Sequence, residues 1–335
     1  MPRCKTVLLA GVLLIGLCSC SGQETGGPED VTIAVIPKGT THIFWESVHA
    51  GAIKASLEMG VNIRWVGPEK EDDRQQQIAV VDNQVLNQVS GIVLAPLDAR
   101  ALRRPVRDAV SRDVPVIIID SALDDSEDVY TSFVATDNHE GGRIAGQKMG
   151  EQLDGSGKVV LLRYMEGSAS TNNREQGFLD ALEDFPDITV VSDEQYAGAT
   201  RAQAQQASEN LLIRFKDAQG SLTIDGIFCP NASSTFGMLQ ALRRHRLTGE
   251  VIFIGFDSDE PLVKALEQQE IAGLVIQNPF QMGYMGVKTI LDHLQGRPVK
   301  KRIDTGVAFV TPDNLQDPAI QEMIDPDLDF WLNKK

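Results

Sequence analysis

Past residue 20 this chain contains a single cysteine, Cys229. One thiol cannot close an internal disulfide, so the fold must be held by its core alone. Cys229 lies in the apolar run Gly226-Ile227-Phe228-Cys229, the setting of a buried, inert thiol, with no His or Asp beside it. Histidine is also sparse: His42, His49, His139, His245 and His293 are scattered without metal-ligand spacing. Basic charge is short, with 31 Lys and Arg against 47 Asp and Glu and a formal net charge of −16. Such a surface repels phosphate backbones, argues against nucleic acid as a partner and suits a soluble monomer. No Gly-x-Ser-x-Gly elbow and no Walker sequence occurs. Gly141-Gly142-Arg143-Ile144-Ala145-Gly146 has the wrong glycine spacing for a dinucleotide loop, and close packing at a helix start accounts for it better. Neither a catalytic constellation nor a cofactor or metal site emerges, which points to a binder rather than an enzyme.

What is present begins with a leader. Arg3 and Lys5 precede an uninterrupted apolar or small stretch over residues 6–17, too short to span a bilayer stably, and no later run approaches the ~20 apolar residues of a membrane helix. The stretch ends in Leu17-Cys18-Ser19-Cys20, which resembles the bacterial lipobox, whose cysteine becomes the lipidated first residue of the mature chain. The sequence therefore predicts a signal peptide over 1–19, lipid on Cys20 and a flexible tether of Gly, Pro and acid over 20–30. The mature protein would be periplasmic or otherwise extracytoplasmic, touching a bacterial membrane only through that anchor.

At 335 residues two domains are the natural expectation. Short apolar runs rich in β-branched residues appear at 31–37, 61–67, 91–95 and 115–120, separated by helix-period segments at 44–59, 73–88 and 99–112. The pattern then starts again, with strands at 158–163, 188–192, 225–229, 251–256 and 274–277 among helices near 139–153, 172–185, 201–215, 233–244, 260–268 and 281–294. Strands alternating with helices of this length imply an α/β fold with parallel sheets and right-handed crossovers, here two doubly wound lobes facing across a cleft.

Open parallel sheets bind ligands beyond the carboxyl ends of their strands. The polar residues concentrate there: Lys38 and His42 after the first run, Asp98 after the third, Asp120-Ser121 after the fourth, then Asn231, Asp257 and Gln277 in the second half. Helix capping is the simpler reading for Asp98 and Ser233. It fails for Asp120, because residues 122–129 do not read as a helix, and it stays open for Asn231, Asp257 and Gln277. As a set these groups suit a polyol: carboxylates accept from adjacent hydroxyls, and amides both donate and accept. Phe44 and Trp45 stand where an aromatic face could cover a sugar ring, or else pack the core. Lys38 and Arg174 are the candidate cations, opposed by two carboxylates, so a neutral ligand fits better than an anion.

Together these segments resemble the ribose- and galactose-type periplasmic sugar-binding proteins of ABC importers, from about Val31 to Leu315. The resemblance is carried by Phe44-Trp45 with Gly51, by the run 115–120 followed by Val134-Ala135-Thr136-Asp137-Asn138, and by Arg174 before Gly177-Phe178. Asn231, Gly255-Phe256-Asp257 and Gln277-Asn278-Pro279 complete the order. It implies the type I periplasmic binding protein fold, with three crossovers near Ala135, Gln277 and Thr305. The lobes would then be 31–134 with 278–304 and 135–277 with 305–335. It also implies ligand contacts at His42, Phe44, Trp45, Asp120, Asn172, Asn231, Asp257 and Gln277, and Ser121 and Arg174 join them as candidate ligand-binding residues. Ser121 and Asn172 stand where the ribose binders carry Arg, which puts ribose itself in question. The implied partners are a small neutral sugar or polyol and the permease and ATPase subunits of an importer. The alternative is a receptor presenting its ligand to a sensor kinase or chemoreceptor, which neighbouring genes would distinguish.

Overall fold

The computed structural model describes residues 31–333 together with Met1 and Pro2, so the expected signal peptide, Cys20 and the tether lie outside the described residues. The first lobe is built on β1 (Thr32–Ile36), β2 (Asn62–Trp65), β3 (Gly91–Leu94), β4 (Val116–Ile119), β5 (Ser132–Ala135) and β11 (Arg302–Asp304). These form one parallel sheet in the order β11-β5-β4-β3-β1-β2. The central strands β3 and β4 are buried along their whole length, which is why they read as continuous apolar runs, while edge strand β2 is half exposed. The second lobe holds β6 (Ser156–Leu161), β7 (Asp187–Ser192), β8 (Gly226–Phe228), β9 (Ile252–Phe256), β10 (Gly273–Gln277) and β12 (Val307–Val310). Its order is β12-β10-β9-β8-β6-β7, parallel except for β12.

The chain passes between lobes at three neighbouring points. Thr305 N–H donates to Ala135 O at 3.2 Å, and Thr136 Oγ1 donates to Gly306 O at 3.0 Å, tying two of the crossings together. The third follows Gln277. The first and third crossings each deliver a helix to the receiving lobe: α4 (Asn138–Gln152), which packs on α5 (Ala169–Leu182), and α9 (Pro279–Leu294), which packs on α1 (Ile43–Met59). Both pairs touch backbone to backbone at glycines. A Cβ on Gly51 would lie 1.9 Å from Phe280 O and one on Gly283 1.9 Å from Val48 O; at Gly142 and Gly177 the distances are 1.9 Å to Arg174 O and 2.0 Å to His139 O. The glycines at 141–142 thus serve close packing. They also hold the start of α1 and the middle of α5, which carry cleft residues, at fixed depth.

Three short strands, β5, β11 and β12, escape a periodicity reading, as do α10 (Pro318–Ile324) and α11 (Leu328–Leu332). The tail also divides the 305–335 segment expected with the second lobe. Ile320 is buried in the second lobe's core with Met323 and Ile324 packed against it. α11 instead returns to the first lobe, where the Trp331 and Phe280 ring centroids are 6.2 Å apart and Lys54 Nζ stands 5.7 Å from the Trp331 ring. A large aromatic beside a cation and a second ring is better sheltered there than in water.

Candidate functional site

Two aspartates turn into the cleft from opposite lobes. Asp120 follows β4 with φ of 60°, and Asp257 follows β9 with φ of 71°. Left-handed backbone costs a residue with a Cβ about 1–2 kcal/mol, although Asp tolerates it better than most. Strain at matching strand ends of both sheets is a pointer to function. Asp120 is 3% exposed, and Lys38 Nζ stands 2.7 Å from its Oδ2 and 3.0 Å from Ser170 Oγ. The Lys38–Asp120 contact is an ion pair without hydrogen-bond alignment, so Oδ2 still has no hydrogen-bond partner.

Arg174 organises the second lobe's side. It is wholly buried, and its Nε donates to Asn138 Oδ1 at 2.7 Å, Nη1 to Pro230 O at 3.0 Å and Nη2 to Gln277 Oε1 at 3.0 Å. The guanidinium lies 3.9 Å from the centroid of the Phe256 ring. Burial lowers its pKa, opposed by Asp257 and Asp120. Gln277, its carbonyl taken by Arg174, turns its amide to Asp257 Oδ1 at 2.7 Å, and Ala232 N–H donates to Asp257 Oδ2 at 2.8 Å. Asp257 is therefore held at both oxygens and is not a helix cap; α8 (Glu260–Glu267) is capped by Asp259. Asn231 caps α7 (Ala232–His245) and also lines the cavity.

Phe44 and Trp45 pack edge to face, centroids 4.8 Å apart. Trp45 is only 2% exposed and belongs to the first lobe's core, yet its Nε1 reaches Glu71 Oε1 at 2.8 Å. Tyr164, from the second lobe, donates to Glu71 Oε2 at 2.7 Å, and burial followed by the Glu71 charge pushes its hydroxyl well above the usual phenol range. Further bonds cross between the lobes: Ser170 N–H to Ser121 Oγ at 3.1 Å, Ala99 N–H to Gly167 O at 3.0 Å and Arg74 Nη2 to Glu166 O at 2.8 Å. The lobes are closed on one another.

The closed cleft brings His42, Phe44, Trp45, Asp120, Arg174, Asn231, Asp257 and Gln277 around one cavity. Ser121 is wholly buried and joins the lobes instead of lining that cavity. Asn172 is not there either. It lines a separate surface depression with Arg74 and Asp98. Two residues along α5 are roughly 200° apart around its axis, so 172 and 174 cannot both face the cleft. Asp98 accepts from the N–H groups of Arg100 and Ala101 at 2.9 and 2.8 Å, closing a turn before the helix at Arg103–Val110, whose N-cap is Leu102, so it is not that helix's cap; Arg74 pairs with its other oxygen at 2.9 Å. Ser233 is not the cap of its helix. Glu71, Tyr164 and Ser170 join the site beyond the sequence expectations; Tyr164 closely follows β6, where the strand-end rule reaches it, whereas Glu71 stands in an acidic loop after β2. Among the described residues no group of three His, Cys, Asp or Glu is placed to hold a metal ion.

His42 caps α1, its Nδ1 accepting from Phe44 N–H at 3.1 Å. In the neutral ring the proton is then on Nε2, which is buried without a partner. An unmade hydrogen bond of this kind costs about 1–3 kcal/mol, a cost a ligand oxygen would remove.

Residues 33–298 match the family model described as a periplasmic binding protein domain. A carbohydrate transporter solute-binding protein from Agrobacterium radiobacter, in complex with D-arabinose, is 36% identical, with a TM-score of 0.82, covering 88% of this chain and 98% of that one. An ABC transporter solute-binding protein from Agrobacterium vitis with bound D-fucose is 32% identical, with a TM-score of 0.83, covering 88% and 99%. The ribose import binding protein RbsB of Haemophilus influenzae is 26% identical over 310 residues, 92% of this chain and 99% of that protein.

Proposed function

This chain belongs to the periplasmic binding protein domain family, in its ribose-type sugar-binding branch, and we propose that it captures a neutral monosaccharide or small polyol between its lobes for an ABC importer. The observation that carries the ligand class is the pair of carboxylates, Asp120 and Asp257, offered from opposite lobes to one cavity beside the amides of Asn231 and Gln277. Adjacent hydroxyls can donate to each carboxylate while the amides and Arg174 supply donors. Charge points the same way: the lining carries Lys38 and Arg174 against Glu71, Asp120 and Asp257, leaving no surplus cation for an anionic ligand. Ligand enclosed by both lobes favours the closed form, the shape a permease would recognise, and leaves unchanged in chemistry.

A thermal-shift screen of pentoses, hexoses, polyols, amino acids and sugar phosphates tests this. Ligand at ~100 times its dissociation constant stabilises the native state by ~2.7 kcal/mol, so a cognate neutral sugar should raise the midpoint clearly. A rise with amino acids or phosphorylated compounds alone would refute the reading.

The chain's place at the membrane rests on Leu17-Cys18-Ser19-Cys20. We propose that Cys20 carries lipid and holds an otherwise monomeric protein on the extracytoplasmic face. Several acyl chains, at ~0.8 kcal/mol per buried CH₂, hold firmly where one does not. Cys20→Ser should move the protein from the membrane fraction to the soluble one; recovery of the unaltered protein with a free Cys20 thiol would end the proposal.

A further inference from the structure

The sugar cavity has a neighbour. A second compartment adjoins it between the start of α1 and the tail, and the two share His42, Phe44, Ala232, Asp257 and Gln277. Their chemistry differs. Beyond the shared residues the first is walled by Lys38, Glu71, Asp120, Tyr164 and hydroxyl groups, the second chiefly by Ile43, Met323, Ile324, Pro326 and Leu328. The apolar wall exists because of the tail: Met323 and Ile324 end α10, which is fixed to the second lobe, Leu328 begins α11, which is fixed to the first, and Pro326 lies on the span between them.

The two carboxylates of this compartment are engaged, while the hydroxyls of Ser47 and Ser258 also line it. Asp257 is held by Gln277 and Ala232 N–H, and Asp259 by Arg201 and by Leu262 N–H. His42 Nε2 is different: it is buried, lacks a partner and belongs to a residue that lines both compartments. An N–H at that junction needs an oxygen lone pair but does not need the oxygen to carry hydrogen. A glycosidic oxygen satisfies it. A hydroxyl placed farther out, among the aliphatic side chains, would lose water and gain nothing.

Building on the sugar reading above, we propose that the second compartment is a subsite for a small apolar group O-linked to the sugar, with His42 Nε2 donating to the linking oxygen. The protein then prefers a short-chain glycoside to the unsubstituted sugar.

Titration calorimetry on the mature chain tests this, comparing each neutral monosaccharide with its methyl and ethyl O-glycosides. Burial of each CH₂ is worth roughly fourfold in affinity, so an ethyl glycoside, with two added carbons, should bind about 15-fold tighter than its parent. Leu328 is partly buried and belongs to none of the lobe cores, so Leu328→Asn should fold normally. That variant should lose the glycoside preference while binding the parent sugar within about twofold of the unaltered protein. A parent sugar that binds as tightly as both its glycosides, or a preference that survives Leu328→Asn, overturns the subsite while leaving sugar binding intact. Failure of every sugar and glycoside to bind would instead remove the sugar reading, and the subsite with it.

Discussion

Replacing Arg174 with methionine should lower sugar affinity by about 100-fold or more and the stability of the ligand-free protein by about 3–5 kcal/mol. Methionine can still cover Phe256, over which the guanidinium stacks. It cannot donate, so Asn138 Oδ1, Pro230 O and Gln277 Oε1 lose their partners inside the protein, each at about 1–3 kcal/mol unless it finds another. Gln277 then has no fixed orientation, and Asp257 loses the amide that holds Oδ1. Arg174→Lys keeps the charge but cannot reach three acceptors with one fork, so it should recover little. A chain of this size shifts its midpoint by roughly 2–4 °C per kcal/mol, which puts the expected drop near 10 °C. Scanning calorimetry and ligand titration together decide it. A methionine variant that binds sugar like the unaltered protein would show that Arg174 only fills space.

The parts of this design that sequence exposes are those with a local cause. The Val116–Ile119 run is legible because a strand covered on both faces must be apolar throughout. Asp120 is legible because no helix follows to claim it as a cap. β11, by contrast, is Arg302-Ile303-Asp304, a strand only because β5 lies beside it. Glu71 sits in the acidic run Glu69-Lys70-Glu71-Asp72-Asp73, which reads as a solvated loop until Tyr164, 93 residues away, is seen to bond with it across the cleft. Trp45 was ambiguous between core and ligand because it serves the core with its ring and the cleft with its Nε1. The resemblance implies Asn172 and the charge pattern offers Arg174, and helical geometry alone allows only one of them to face the site. Lobe–lobe contacts depend on tertiary closure, which no local pattern records.

The other large effect is expected at Asp120. Its Oδ2 has an ion-pair neighbour in Lys38 but no hydrogen bond, so it remains an acceptor for a ligand hydroxyl. Asp120→Asn keeps a residue that tolerates the left-handed backbone and nearly the same shape, while removing the charge and turning one acceptor oxygen into an NH₂ donor. Hydrogen bonds to a charged group contribute ~1.5–3 kcal/mol each, so weakening two of them should reduce affinity by about 100-fold. The substitution also leaves Lys38 buried with Ser170 as its remaining partner, which should destabilise the ligand-free protein. These two consequences are separable. Adding Lys38→Met removes the orphaned charge and should restore most of the lost stability, because an apolar side chain of similar length fills the same space. It should not restore affinity, since methionine offers the sugar no acceptor. Titration and thermal unfolding of the two single variants and the double complete the cycle. Were affinity to return in the double variant, the binding defect would lie in the stranded lysine, and Asp120 would have to be reassigned from ligand acceptor to structural counter-ion.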